Sequence, residues 1–299
     1  MAFTSQSDDL DGTRYARNGV ARPPRVEGEI LPPEPGAVSL PDYEAEARTR
    51  PEMREQRRSR WSTAPATYLL VGVNCLVFVA MILSGISPTA PGPDDLLRWG
   101  ANNGFLVLNG QWWRLLTATF VHVGLLHLGT NMWCLWNLGL LGEPLIGPLG
   151  LLAVYFLSGI AGNLLSTAVD PRVVGAGASG AVFGIAGILI VLLSNKALPI
   201  PQFELRRLRK SVIWFAALNF VLGGGLQVAH SVQRFQSLPM IDNMAHLGGF
   251  LSGMALGVPL LARMTSGRRR YLRRQGFTFA VACALLSLFG FGIATFYSS

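Results

Sequence analysis

The sequence predicts an all-α membrane protein with several spanning helices, and three observations carry that reading. Only 14% of the 299 residues are charged, against roughly 25% in an ordinary soluble domain. The charge is also uneven: residues 1–60 hold 21 of the 42 Lys, Arg, Asp and Glu side chains. The remaining body is a series of long apolar runs, with Lys and Arg gathered in short links between them. That is the composition of an integral membrane protein.

Residues 1–60 come first. They contain Pro23-Pro24, Pro32-Pro33 and Pro35, mixed charge and few large apolar side chains. Such a segment buries too little surface to offset its ordering entropy, so a disordered tail is expected there. The stretch opening at Met1 has no apolar segment of signal-peptide type, and no cleaved signal is expected before the first span. Seven runs then reach the roughly 20 mostly apolar residues that a membrane crossing requires. They lie at about 65–86, 115–140, 149–168, 177–195, 211–229, 243–262 and 277–297.

Orientation follows from the basic residues. Arg54, Arg57, Arg58 and Arg60 flank the first run. Lys196, Arg206, Arg207, Arg209 and Lys210 lie between the fourth and fifth, and Arg263, Arg268, Arg269, Arg270, Arg273 and Arg274 between the sixth and seventh. The other links hold only Arg98, Arg114, Arg172 and Arg234. The richer side is cytoplasmic, so the tail is expected inside and Ser299 outside. The net charge of +8 is therefore a topology signal and implies no nucleic-acid partner. Cys75, Cys134 and Cys283 all sit in apolar runs without paired spacing, forming neither a disulfide framework nor a zinc site.

On this topology the unusual polar residues converge. The second run carries His122, His127 and Asn131 at its outer end. The fourth opens on Gly175-Ala176-Gly177-Ala178-Ser179-Gly180, and the sixth on Asp242-Asn243-Met244-Ala245-His246. Three helices would bring Ser, His and Asn to one depth below the outer surface. His127 and Asn131 are i,i+4 and share a helix face. Ala245, Gly249, Gly253 and Gly257 form a small-residue stripe, and Gly180, Gly184 and Gly187 form another. If the stripes meet, as small residues allow, Ser179 and His246 come together.

Those residue types define a chemistry. A serine hydroxyl needs a neighbouring base to become a nucleophile, and the resulting oxyanion needs donors already aimed at it. His127 and Asn131 carry side-chain N–H groups, and the Ser179 N–H is unpaired if it opens a helix. Gly177 and Gly180 would let a substrate backbone approach. Each residue also has a plainer reading: Ser179 as packing between helices, His127 and Asn131 as local hydrogen bonders, and Asp242 as an N-cap rather than a triad member. His122, about 140° round an ideal helix from His127, reads as a support for the first loop. His230 reads as interfacial, Cys134 as packing and Glu143 as a helix-end hydrogen bonder. No carboxylate or Cys joins the histidines at ligand spacing, so neither a metal nor any other cofactor is expected.

At these positions the sequence resembles the rhomboid family of intramembrane serine proteases. The resemblance rests on Trp112-Trp113-Arg114, then His122, His127 and Asn131, then Gly177-Ala178-Ser179-Gly180, then Ala245-His246-Leu247-Gly248-Gly249 followed by Gly253. It covers about 65–262. It is distinct from the soluble-hydrolase elbow, which needs Gly where this chain has Ala181. The resemblance implies a rhomboid-like six-helix core at 61–262 with a Ser179–His246 dyad. It also implies an oxyanion hole lined by His127 and Asn131, and a first loop ordered by Trp113 and Arg114. Residues 263–299, a basic cytoplasmic loop and a seventh C-terminal transmembrane helix, extend that core. Phe183 stands where family members often have a Tyr stacked on the histidine; stacking survives the change and a hydroxyl contact does not.

The expected activity is cleavage of transmembrane protein substrates near the outer surface, in the lipid bilayer of a bacterial plasma membrane. A substrate helix must unwind to present its scissile carbonyl, so helix-weakening Gly, Ala or Pro should favour cutting. The competing class is a non-catalytic binder of transmembrane helices, a chaperone or quality-control factor. A small-solute transporter would want embedded carboxylates or broken-helix repeats, and the sequence has neither.

Overall fold

The computed structural model describes residues 64–196, 198, 200–231, 242–261 and 267–298, without the side chains of 222–231 and 268. The tail expected at 1–60, Arg234, Arg263 and the His230 side chain lie outside the described residues. The described chain is helical: α1 (Pro65–Leu83), α2 (Pro93–Arg98), α3 (Gly104–Leu108), α4 (Arg114–Thr117), α5 (Leu125–Ile146), α6 (Pro148–Val169), α7 (Ser179–Leu192), α8 (Gln202–Ser231), α9 (Asn243–Leu261) and α10 (Arg268–Ser298). Two short strands, β1 (Asn102–Asn103) and β2 (Val174–Gly175), pair antiparallel with Asn102 opposite Gly175. The fold is that of an all-α, multi-pass membrane protein. Among the described helices, α1, α6, α9 and α10 are each long and apolar enough to cross a membrane. Large apolar side chains such as Leu76, Trp133, Leu285 and Phe289 face outward, as a lipid-facing surface requires.

Helix α7 is different. At 14 residues it is about 21 Å long, short of the roughly 30 Å hydrocarbon core. It is buried along nearly its whole length and packs chiefly between α6 and α9. Its first residue, Ser179, therefore begins inside the helical body. The expected small-residue stripes do meet. A Cβ on Gly249 would collide with the Gly180 carbonyl, and one on Gly253 with the Gly184 carbonyl. The backbones of α7 and α9 are thus in direct contact.

Polar groups within the bundle are mostly paired, as a membrane interior demands. The Tyr155 hydroxyl donates to the Thr119 carbonyl (3.0 Å) and accepts from Asn74 Nδ2 (3.1 Å), joining α6 to α1 and the first loop. At the start of α1, where helical N–H groups lack partners, Glu143 of α5 accepts from Ala66 N–H (2.9 Å), Thr67 N–H (2.8 Å) and Thr67 Oγ (2.7 Å). Glu143→Ala leaves all three donors buried and unpaired. It is expected to destabilise the bundle by about 3 kcal/mol, read as a lower unfolding midpoint in mixed detergent micelles.

The structure corrects two expectations of span placement. The second run, expected at 115–140, becomes helical for its span only at Leu125 and continues through Pro144 to Ile146. Gly124, at φ 90°, sets that start: a Cβ there would lie 2.8 Å from the Thr89 carbonyl oxygen, and the left-handed backbone favours Gly. The apolar residues ahead of it pack within the protein: Leu115 clusters with Val107, Leu164 and Ile293, Val121 belongs to the main core, and Phe120 lies beside Tyr155 and Phe156 of α6. His122 consequently lies in the non-helical segment before α5, not in its first turns. The basic links also differ, because Arg206–Lys210 and Arg268–Arg274 form opening turns of α8 and α10. Arg and Lys are good helix formers, so these helices extend past their apolar stretches.

Candidate active site

Ser179 opens α7, so its N–H has no carbonyl four residues back within the helix. The preceding turn is held from two sides. Gly177 N–H donates to the Ala118 carbonyl (2.9 Å), and Ala178 N–H donates to His122 Nε2 (3.4 Å). The other His122 nitrogen, Nδ1, lies 3.2 Å from the Phe120 carbonyl and donates to it when Nε2 accepts. His122 therefore bridges the turn beside Ser179 and the segment that precedes α5.

His246 reaches Ser179 from the first turn of α9. Its Nε2 is 2.8 Å from Ser179 Oγ, the distance at which a hydroxyl donates to an imidazole nitrogen. His246 is buried, whereas Ser179 remains partly accessible. Phe183, one turn along α7, stacks on the His246 ring at 4.4 Å and 22°, and Phe220 of α8 meets the same ring edge-on at 6.3 Å. With Nε2 accepting, the imidazole proton sits on Nδ1, which is buried and has no hydrogen-bond partner among the described residues. Ring stacking holds this imidazole in place of a third polar residue.

Asp242 does not fill that third position. Its Oδ1 accepts from Ala245 N–H (2.9 Å) and its Oδ2 from Ser166 Oγ (2.6 Å). It caps α9 and ties it to α6. Burial pushes its carboxyl pKa up, and the bonds from Ser166 and Ala245 offset part of that rise.

His127 and Asn131 project from α5 toward the same turn. A Cβ on Gly177 would lie 2.6 Å from His127 Cε1 and 3.7 Å from Asn131 Nδ2, and Gly177 itself has φ 132°. Only glycine suits both the conformation and the space. His127 Nδ1 accepts from Val123 N–H (3.3 Å), which leaves Nε2 as the ring donor. Asn131 Nδ2 gives one hydrogen to the His127 carbonyl (3.0 Å) and keeps a second. Gly180 lies under α9, its own Cβ position 3.2 Å from the Ala245 carbonyl oxygen. Cys134 is only partly buried, and among the described residues no three His, Cys, Asp or Glu side chains group as metal ligands.

Two neighbours carried no usable sequence signal. Phe220 is one apolar residue among many in its run, and Ser166 is one of several small polar residues in α6. Outside the site, Arg114 is buried in the first loop. Its Nη1 donates to the Leu97 and Ala101 carbonyls at 2.7 and 2.9 Å, and its guanidinium lies over the Trp113 ring.

A serine at the head of an interior helix, hydrogen-bonded to a histidine from the helix that crosses it, places the chain among polytopic membrane proteins with a Ser–His pair inside the bundle. Residues 109–263 match the family model of the Rhomboid domain. That is just over half of the chain, and the chain belongs to the rhomboid family. It is 34% identical over 198 residues to Rhomboid protease GluP of Bacillus subtilis, covering 64% of this chain and 35% of that protein. It is 31% identical over 215 residues to RHOMBOID-like protein 2 of Arabidopsis thaliana, covering 66% and 61%. Similarity to Rhomboid-like protease 2 of Toxoplasma gondii is 31% over 190 residues, 62% of each chain. The chain thus spans between about a third and about three fifths of the length of these relatives.

Proposed function

We propose that this protein is an intramembrane serine endopeptidase that cuts transmembrane substrates near the outer membrane surface, with Ser179 as nucleophile and His246 as base. The observation that carries the reading is the 2.8 Å contact between Ser179 Oγ and His246 Nε2 at the head of a buried helix. Ser179 Oγ attacks the scissile carbonyl while its proton passes to Nε2. The tetrahedral oxyanion is met by His127 Nε2–H, the second Asn131 Nδ2–H and the Ser179 N–H. His246 then returns the proton to the leaving amine, and water releases the acyl group. Gly177 leaves room for the His127 ring beside Ser179, Gly180 lets α9 close over the head of α7, and Phe183 keeps the imidazole in plane.

The same reading assigns 1–60 to a cytoplasmic tail, 61–262 to the protease core and 263–299 to a basic entry segment with a seventh spanning helix. It places the protein in a bacterial plasma membrane, with the C-terminus outside. The basic residues at the starts of α8 and α10 support that orientation. The relatives named as proteases support the activity.

The test is cleavage of a model transmembrane substrate in liposomes by wild type, His127→Ala, Asn131→Ala and Cys134→Ala. Each of the first two variants is expected to lose about 10²-fold in kcat, with KM little changed, and Cys134→Ala to stay active. A wild type that binds a varied substrate panel and never cuts it would favour the helix-binding reading instead.

A further inference from the structure

Where α10 crosses α6 and α9 it leaves a cleft of about 400 Å³. Its walls are apolar, among them Leu157 of α6, Leu256 of α9, and Val281, Ala282 and Leu285 of α10. Arg274 stands at the end nearest the start of α10. Its Nη1 is buried without a hydrogen-bond partner among the described residues, and the same holds for the Tyr271 hydroxyl one turn earlier. A guanidinium N–H withdrawn from water in this way needs an acceptor. No described residue offers it a hydrogen-bond acceptor, and residues 263–299 contain neither Asp nor Glu. Arg269, Arg270 and Arg273 are exposed nearby and add to the positive charge.

The missing partner must therefore combine an anionic acceptor with an apolar body. The length agrees: α10 rises roughly 18 Å between Arg274 and Leu286, at the far end of the cleft. That is a little over half of the roughly 30 Å hydrocarbon core, the depth of one leaflet. We propose that this cleft holds one acyl chain of an anionic phospholipid whose phosphate is received by Arg274. The site shares no residue with the Ser179–His246 pair and does not depend on the protease reading. The lipid acts as a wedge that fastens α10 to α6 and α9.

The test uses the delipidated full chain in detergent, titrated by native mass spectrometry with dioleoyl phosphatidylglycerol, dioleoyl phosphatidylcholine or inorganic phosphate. Phosphatidylglycerol is expected to bind about ten-fold more tightly than phosphatidylcholine, and inorganic phosphate to bind far more weakly than either lipid. Arg274→Gln is expected to lose about ten-fold in phosphatidylglycerol affinity, while Arg274→Lys keeps most of it. Ala282→Phe fills the cleft without altering charge and is expected to weaken both lipids, which keeps the test decisive if Arg274→Gln does not fold. Equal binding of the two lipids, phosphate binding as tight as phosphatidylglycerol, or unchanged affinity in Ala282→Phe would each overturn the proposal.

Discussion

Replacing Ser179 by alanine is expected to lower kcat for a transmembrane substrate by at least about 10⁴-fold, with substrate binding retained. No other hydroxyl can substitute, because His246 Nε2 faces Ser179 Oγ alone among the described side chains. His246→Ala should cost a similar factor, since an unassisted serine is a poor nucleophile at neutral pH. The double variant should be no slower than either single variant, because the two residues act as one unit. Multiplicative losses would mean independent roles and would contradict the dyad. Phe183→Tyr offers a contrast: it keeps an aromatic ring on the imidazole and should remain active. The readout is initial cleavage rate in liposomes at matched protein density.

The second large effect is structural. Gly253→Val is expected to destabilise the bundle by roughly 3 kcal/mol or more, because its side chain would enter the Gly184 backbone. Neither α7 nor α9 can yield cheaply. Gly187 also lies close under the Phe250 carbonyl, and Gly162 of α6 sits against the Ala245 carbonyl of α9. Separation of the two helices would also draw His246 away from Ser179, so stability and cleavage should fall together. Reversible unfolding in mixed micelles and the cleavage rate measure the two losses. A variant with normal stability and normal cleavage would show that the helices do not need this close approach.

How much of this was legible depended on the kind of signal. The contact between α7 and α9 was readable because small residues recur every three or four positions on both, and that spacing survives in the folded chain. Ser179 and His246 were readable for a related reason, since each opens an apolar run where a polar side chain has no solubility role. The start of the second span was not. Residues 115–121 are as apolar as a spanning segment, and composition does not distinguish burial within the protein from burial in lipid. What distinguishes them is Gly124, whose left-handed backbone and contact with Thr89 are tertiary facts. The short helices α2, α3 and α4 were similarly hidden, being too brief to show periodicity. Phe220 was invisible because its place beside His246 depends on how α8 packs.

Asp242 separates two readings that sequence alone kept open. An acidic residue four positions before a histidine fits both an N-cap and a triad partner. The bonds to Ala245 and Ser166 commit its oxygens to the first role, and the buried, unpartnered Nδ1 of His246 agrees. Orientation of the imidazole then rests on packing against Phe183, whose position four residues after the serine the family resemblance had marked as the stacking one.

The most direct test of the central claim is labelling of the membrane-embedded protein with a fluorophosphonate probe, which reacts with activated serines, followed by peptide mass spectrometry to locate the adduct. Wild type and Cys134→Ala are predicted to carry the adduct on Ser179, and His246→Ala to carry almost none. Labelling of Ser179 that persists undiminished without His246, or a wild type that is never labelled there, would contradict the account.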